Sequence, residues 1–93
     1  MPKVQLQLTV KPGPSVTIVS INIHGQPVAL VNNRGSISLP SPGRYVVVWH
    51  FVGDEGETLG LTAEAGGNAV LSIKKSRVPS GENAGAGIAR IEI

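Results

Sequence analysis

The sequence predicts a small all-β domain: one antiparallel β-sandwich of seven or eight short strands that spans residues 1–93. Three observations support this prediction. Apolar and polar residues alternate with a period of two in several runs. Most connections between the runs contain Gly or Pro, and the chain has 12 Gly and 7 Pro. No segment keeps a helical period over three turns, so short strands joined by frequent turns are the favoured architecture.

The first half of the chain contains four predicted strands. Residues 3–11 alternate strictly, as in a strand of an antiparallel sheet with one wet face. The segment Pro12–Ser15 ends this strand, because its two prolines lack backbone N–H donors. Three shorter strands, separated by turns rich in Gly and Asn, follow at residues 16–24, 28–31 and 36–39. The residues expected to point inward are Val4, Leu6, Leu8, Val10, Val19, Ile21, Ile23, Val28, Leu30, Ile37 and Leu39.

The strand Arg44–Val52 organises the predicted core, because it holds every Tyr, Trp and Phe residue of the chain. Successive side chains of a strand point to opposite faces. One face therefore carries Tyr45, Val47, Trp49 and Phe51. The preceding Pro42-Gly43 pair suits the two central positions of a type II turn. We expect a central antiparallel strand whose aromatic face lies inside the sandwich.

A hairpin is predicted after the central strand. Residues 58–65 and 69–77 alternate on either side of Gly66-Gly67-Asn68, a favourable tight connection. In the second of these strands Leu71 and Ile73 are expected to point inward. The same alternation places Lys75 and Arg77 on the same face as Leu71 and Ile73, and they would continue this face beyond the rim of the sandwich.

Two segments of the second half are predicted to be irregular. The acidic turn at residues 53–57 is interpreted as a hydrated turn with mutually repelling carboxylates. Residues 78–87 are predicted to form a structureless loop, either a crossover between sheets or a surface loop. A last strand is expected over residues 87–93.

Composition narrows the range of functions. With 41% hydrophobic and 15% charged residues the chain is too apolar for a disordered protein, and it has no Cys. Its net charge is only +2, and the one basic cluster, a rim formed by Lys74, Lys75 and Arg77, has no exposed aromatic partner for base stacking. We therefore expect no nucleic-acid binding, and interpret the cluster as protection of a strand edge.

No apolar run is long enough for a membrane span, and no signal peptide is recognisable. If Met1 is the native start, a cytoplasmic location or export without a cleaved signal is expected. We expect no metal and no cofactor, because the two imidazoles, His24 and His50, show no ligand spacing. No nucleophile elbow is present, and the Gly-rich residues 81–87 precede a strand pattern, unlike a phosphate loop. The prediction is a non-enzymatic protein; an enzyme would need a polar cleft near His50.

Residues 16–53 resemble the transthyretin-like, or carboxypeptidase regulatory-like, β-sandwich modules. The resemblance lies in an apolar strand ending at Gly25 and in two motifs, Gly35-x-Ile37-x-Leu39 and Pro42-Gly43-x-Tyr45-x-Val47. In those modules a Pro-Gly-x-Tyr turn similarly leads into the central strand. The resemblance implies an Ig-like sandwich that serves as a stalk, a spacer or a protein-binding module.

The second face of the central strand is the predicted partner-binding site. It carries Val46, Val48, His50 and Val52, although a half-wet sheet should be polar there. Apolar patches of this kind mark partner surfaces or covered regions. We expect a protein partner or a homodimer to bind this face, or a strand edge. Two alternatives stay open: residues 78–87 or a barrel wall cover the valines, or the domain binds a small ligand or a carbohydrate.

Overall fold

The computed structural model describes residues 2–93 and confirms the all-β sandwich. Two four-stranded antiparallel sheets pack face to face, and no helix is present among these residues. Sheet I has the strand order β4-β1-β6-β7, and sheet II has the order β3-β2-β5-β8. The strands are β1 (Lys3–Pro12), β2 (Ile18–Ile23), β3 (Gln26–Val28), β4 (Arg34–Pro40), β5 (Arg44–Val52), β6 (Thr58–Ala65), β7 (Asn68–Arg77) and β8 (Ala84–Glu92).

The core lies between the sheets and follows the period-two pattern. The predicted central strand, β5, pairs with β2 on one side and β8 on the other. Trp49 is 4% exposed and Phe51 1% exposed, whereas Tyr45 is half-buried at the end of the strand. The other large buried side chains include Leu6, Leu8, Ile21, Ile23, Val47, Leu59, Leu61, Val78 and Ile91.

The two aromatic rings of the core pack on glycines of β8. Trp49 stands opposite Gly87, and Phe51 opposite Gly85. A Cβ atom at Gly87 would lie 2.2 Å from Cζ2 of Trp49, and one at Gly85 would lie 2.5 Å from Cζ of Phe51. The prediction of a loop up to residue 87 is therefore wrong, because the strand begins at Ala84. Glycine is generally unfavourable in strands, but at positions 85 and 87 only glycine leaves space for the rings.

A bulge in β7 changes the face of its last residues. Leu61 pairs with Ile73 but Leu59 pairs with Ser76, so β7 contains one extra residue at Lys74-Lys75. Ser76 consequently faces the core, where its hydroxyl accepts a hydrogen bond of 3.0 Å from Nε1 of Trp49. The prediction that Arg77 continues the inward face is wrong. Arg77 pairs with Thr58, so it does not belong to the residues of β7 that face the core.

The turn before β5 also differs from its prediction. Gly43 does not adopt the positive φ that a type II turn requires, and the Ser41–Pro42 peptide bond is cis. Gly43 instead leaves space for the ring of Tyr45: a Cβ atom there would lie 2.8 Å from the hydroxyl oxygen. That hydroxyl donates a 2.6 Å hydrogen bond to the carbonyl oxygen of Pro40. Tyr45 thus links the turn that precedes β5 to β5 itself.

Glu57 joins two connections that cross between the sheets. Its Oε2 accepts hydrogen bonds from the amide and the hydroxyl of Ser15, at 2.8 and 2.7 Å, and its Oε1 accepts one from the amide of Thr58. The Ser15 hydroxyl in turn accepts a bond from the amide of Asp54. These bonds, first those from Ser15, lower the pKa of the Glu57 carboxyl. The interpretation of this turn as merely hydrated and repulsive is therefore incomplete.

Candidate interaction surface

The outer side of sheet II carries exposed apolar side chains beside polar ones such as Ser20 and Asn22. Val46, Val48, His50 and Val52 project from β5 on this side, away from the core. In the neighbouring strands Ile18 and Ala84 stand opposite Val52, and Ile88 stands opposite Val48. We define the valine face as the outward side chains of Ile18, Val46, Val48, His50, Val52, Ala84, Ala86 and Ile88. Ile18 is 62% exposed, Val52 38% and Ile88 70%.

No other strand of residues 2–93 covers the valine face. The alternative that residues 78–87 cover it is not met: β8 extends sheet II beside β5, and residues 79–83 are all exposed. Val46 and Val48 are half-buried by their neighbours within the sheet, and His50 is exposed between Ser20 and Ala86. The four residues of the predicted partner-binding site therefore share one solvent-facing surface.

The free edge of β8 borders the valine face. Gly43 and Ile93 exchange both backbone hydrogen bonds, at 2.8 and 3.0 Å, and Gly53 donates to the carbonyl of Asn83 at the other end. Bonded and non-bonded pairs alternate along an antiparallel ladder, so the odd-numbered residues of β8 bond to β5. The backbone N–H and C=O groups that point to the free edge belong to Ala84, Ala86, Ile88, Arg90 and Glu92.

The other sheet edges are protected in ways that β8 is not. Edge strands avoid pairing with other chains by being short, by carrying Pro or charge, or by bulging. The edge strand β3 has three residues and contains Pro27, and β4 ends at Pro40. The edge strand β7 is bulged. By contrast, β8 pairs with β5 over nine residues without a register shift, and residues 84–89 carry no charge.

The predicted basic rim lies away from the valine face. Lys74, Lys75 and Arg77 are exposed on β7, the edge strand of sheet I. Their position next to the bulge fits the interpretation that they keep this edge from pairing. The three residues lie at a strand edge, as predicted. The regular edge at β8 was not predicted, because residues 84–87 were assigned to a loop.

The remaining candidate groups among residues 2–93 form no metal-binding cluster. Among residues 2–93 no three His, Asp or Glu side chains come together in a group that could hold a metal ion. Trp49 and Phe51 are buried, so neither offers an exposed ring for a sugar to stack on. None of these residues forms a helix long and apolar enough to cross a membrane.

Comparisons with known proteins identify no relative. The resemblance of residues 16–53 to transthyretin-like modules accordingly stays a prediction. No protein-family model matches the chain, and neither the curated proteins nor the solved structures include a significant match.

Proposed function

We propose that this chain is a non-enzymatic protein-interaction module that binds an extended strand of a protein partner on the free edge of β8. The observation that supports this most is that a regular edge strand, uncharged over residues 84–89, adjoins an exposed apolar surface that includes its own Ile88. In such β-augmentation the backbone hydrogen bonds provide affinity, and alternate side chains provide specificity.

Ile88 connects the two parts of the proposed surface. Its backbone groups point to the free edge, and its side chain lies on the valine face opposite Val48. A strand added to β8 would lie about 4.8 Å away. Every second side chain of the added strand would lie on the same face of the sheet as Ile88. We therefore expect the partner strand to carry apolar residues at alternate positions.

The energetics favour the use of both parts. Full burial of a Val or Ile side chain is worth about 1.5–3 kcal/mol, so an added strand that covers the exposed fractions of Ile88 and of its neighbour Val48 supplies about 1–3 kcal/mol. Association costs about 4–15 kcal/mol in lost translational and rotational freedom. Apolar contact with these residues alone does not exceed that cost, and the backbone bonds along β8 must contribute.

A second copy of this chain is the first partner to test. If two copies pair antiparallel around Ile88, that residue meets its own equivalent, Ala86 meets Arg90 and Ala84 meets Glu92. No like charges stand opposite each other in this register. Self-association through β8 and binding of another protein's strand use the same edge, so one experiment examines both.

The test combines amide hydrogen exchange with peptide selection. Exchange is followed by NMR on the intact chain over a range of concentrations, and with peptides selected on it from a random ten-residue library. We expect the amides of Ala86, Ile88 and Arg90 to exchange fast in the dilute monomer and to become protected on self-association or peptide binding. The odd-numbered amides of β8 should be protected throughout.

Two matched variants make the test specific. Ile88→Lys places a charge on the edge strand and should abolish the protection and the peptide binding. Val31→Lys makes the same change at a residue that is 71% exposed but lies outside the valine face, and should have no effect. A chain that stays monomeric and selects no peptide contradicts the proposal, and so does equal binding by both variants.

A further inference from the structure

A cleft of about 720 Å³ opens at one end of sheet II. Its lining is mainly apolar and includes Tyr45, Val46 and Ile91, with His24 and Arg90 among the polar residues. Ligand sites are commonly apolar concavities that hold a few convergent polar groups. The cleft lies at the charged end of β8, beyond residues 84–89. It shares Val46, Arg90 and Glu92 with the surface of the proposed function but not Ile88, whose substitution tests that function.

Two nitrogen-bearing side chains of this cleft lack a partner within residues 2–93. Arg44 is paired with Glu92, but Arg90 contacts no carboxylate. The imidazole of His24 makes no hydrogen bond to these residues either. Arg90 pairs with Val46 in the ladder, and the amide of His24 donates to the carbonyl of Val46 from the other side. The two side chains thus start from strand positions about 10 Å apart across Val46.

The backbone holds His24 at the cleft. His24 and Gly25 have φ values of 52° and 80°, the conformation of a type I′ turn between β2 and β3. Asn, Asp and Gly are the residues usually found at the first of these positions. The His24 ring instead contacts Tyr45 edge to face, with 5.7 Å between the centroids and 89° between the planes.

We infer that this cleft binds a small amphipathic carboxylate. The guanidinium of Arg90 offers a planar pair of donors that matches a carboxylate, and His24 offers a further nitrogen from the opposite side. The apolar body of the ligand packs on Tyr45 and Val46, both half-buried. A monoanion fits better than phosphate, because Glu92 repels a second negative charge and already neutralises Arg44.

The inference is tested by NMR titration of the intact chain with phenylacetate. Two further probes separate its parts: 2-phenylethanol keeps the apolar body without the charge, and inorganic phosphate keeps only negative charge. We expect saturable shifts of the His24, Tyr45 and Arg90 amides with phenylacetate, and affinities about tenfold weaker for the alcohol, since one charge-assisted hydrogen bond has about that value. Phosphate should not compete.

Three variants connect the effect to the cleft. Arg90→Gln should weaken phenylacetate binding about tenfold. His24→Asn should weaken it too while the turn is kept, because Asn suits the positive φ. Arg77→Gln, an exposed arginine on the other sheet, should bind as the wild type does. Absence of saturation with phenylacetate, equal affinity in Arg90→Gln, or phosphate binding as tight as phenylacetate binding would each overturn the inference.

Discussion

The two sheets have similar inner faces and opposite outer faces. Along sheet I, Gln5, Gln7 and Thr9 project outward from β1, and their cross-strand neighbours are Ser38, Ser36, Arg34, Glu64 and Thr62. Along sheet II the corresponding outward positions include Ile18, Val48, Val52 and Ile88. Sheet I shows that this sandwich folds with a largely polar outer face. The apolar outer face of sheet II is therefore not required by the fold, and it needs another explanation.

The same contrast holds for the edge strands on one side of the sandwich. In sheet I, β7 is bulged and carries Lys74, Lys75 and Arg77. In sheet II, β8 is regular and bears its first charge only at Arg90. One chain thus protects one edge against pairing and leaves the other available. This difference is the reason we propose the interaction surface on sheet II.

The largest effect is expected from truncating the inner face of β5. Trp49→Ala should lower the free energy of unfolding by about 3–5 kcal/mol, the range for a buried large aromatic side chain. It also removes the donor that Ser76 accepts from. Denaturant unfolding measures the change, which is a large part of a typical stability of about 5–15 kcal/mol. A variant that unfolds near the wild-type midpoint would show that Trp49 is not a core residue.

Substitutions on β8 test the same distinction between inner and outer faces, with a smaller expected change in stability. Gly87→Ala should destabilise the protein by about 1–3 kcal/mol, because the added methyl group overlaps the indole of Trp49. Ala86→Ser changes the adjacent outward residue and should stay within about 0.5 kcal/mol of the wild type. Thermal unfolding of the two variants gives the comparison. Similar midpoints would mean that the rings do not pack on β8 as described.

The connection between the sheets predicts a dependence of stability on pH. The folded protein lowers the pKa of Glu57 below its ordinary value of 4.5. A carboxyl of this kind stabilises the fold above its unfolded-state pKa, and the contribution is lost as the pH falls through the lower, folded-state value. Unfolding followed from pH 7 to pH 2 should therefore show a loss of stability below about pH 4.5 that Glu57→Gln reduces.

Glu64→Gln is the matched control for this pH dependence. Glu64 is exposed on β6 and makes no side-chain hydrogen bond among residues 2–93. Its substitution should leave the acid limb of the stability curve unchanged. If both variants alter that limb equally, the bonds from Ser15 do not distinguish Glu57 from an ordinary surface carboxyl.

Local patterns predicted the parts of the fold that depend on alternation and on turn chemistry. The strand β1, the aromatic face of β5 and the hairpin at Gly66-Gly67 follow from a few neighbouring residues each. The parts that were missed depend on distant partners. Gly85 and Gly87 form a strand because aromatic rings from β5 occupy the space above them, and Glu57 is ordered by Ser15, 42 residues away.

The candidate surface was predicted in part for the same reason. The outward valines of β5 are visible in the sequence, because their pattern departs from the alternation of a half-wet sheet. The free edge of β8 and the cleft beside His24 depend on which strands become neighbours, and alternation does not determine strand order. A bulge such as the one at Lys74-Lys75 also reverses the facing of every residue that follows it in the strand.

The central claim is that the outer face of sheet II is dispensable for folding, and one pair of identical substitutions tests it most directly. Val47 is buried and Val48, its neighbour in β5, lies on the valine face. Val47→Thr should lower the free energy of unfolding by about 1–3 kcal/mol, because it buries a hydroxyl without a partner. Val48→Thr should lower it by less than about 0.5 kcal/mol. Equal losses in a denaturant titration of the two variants would contradict the account.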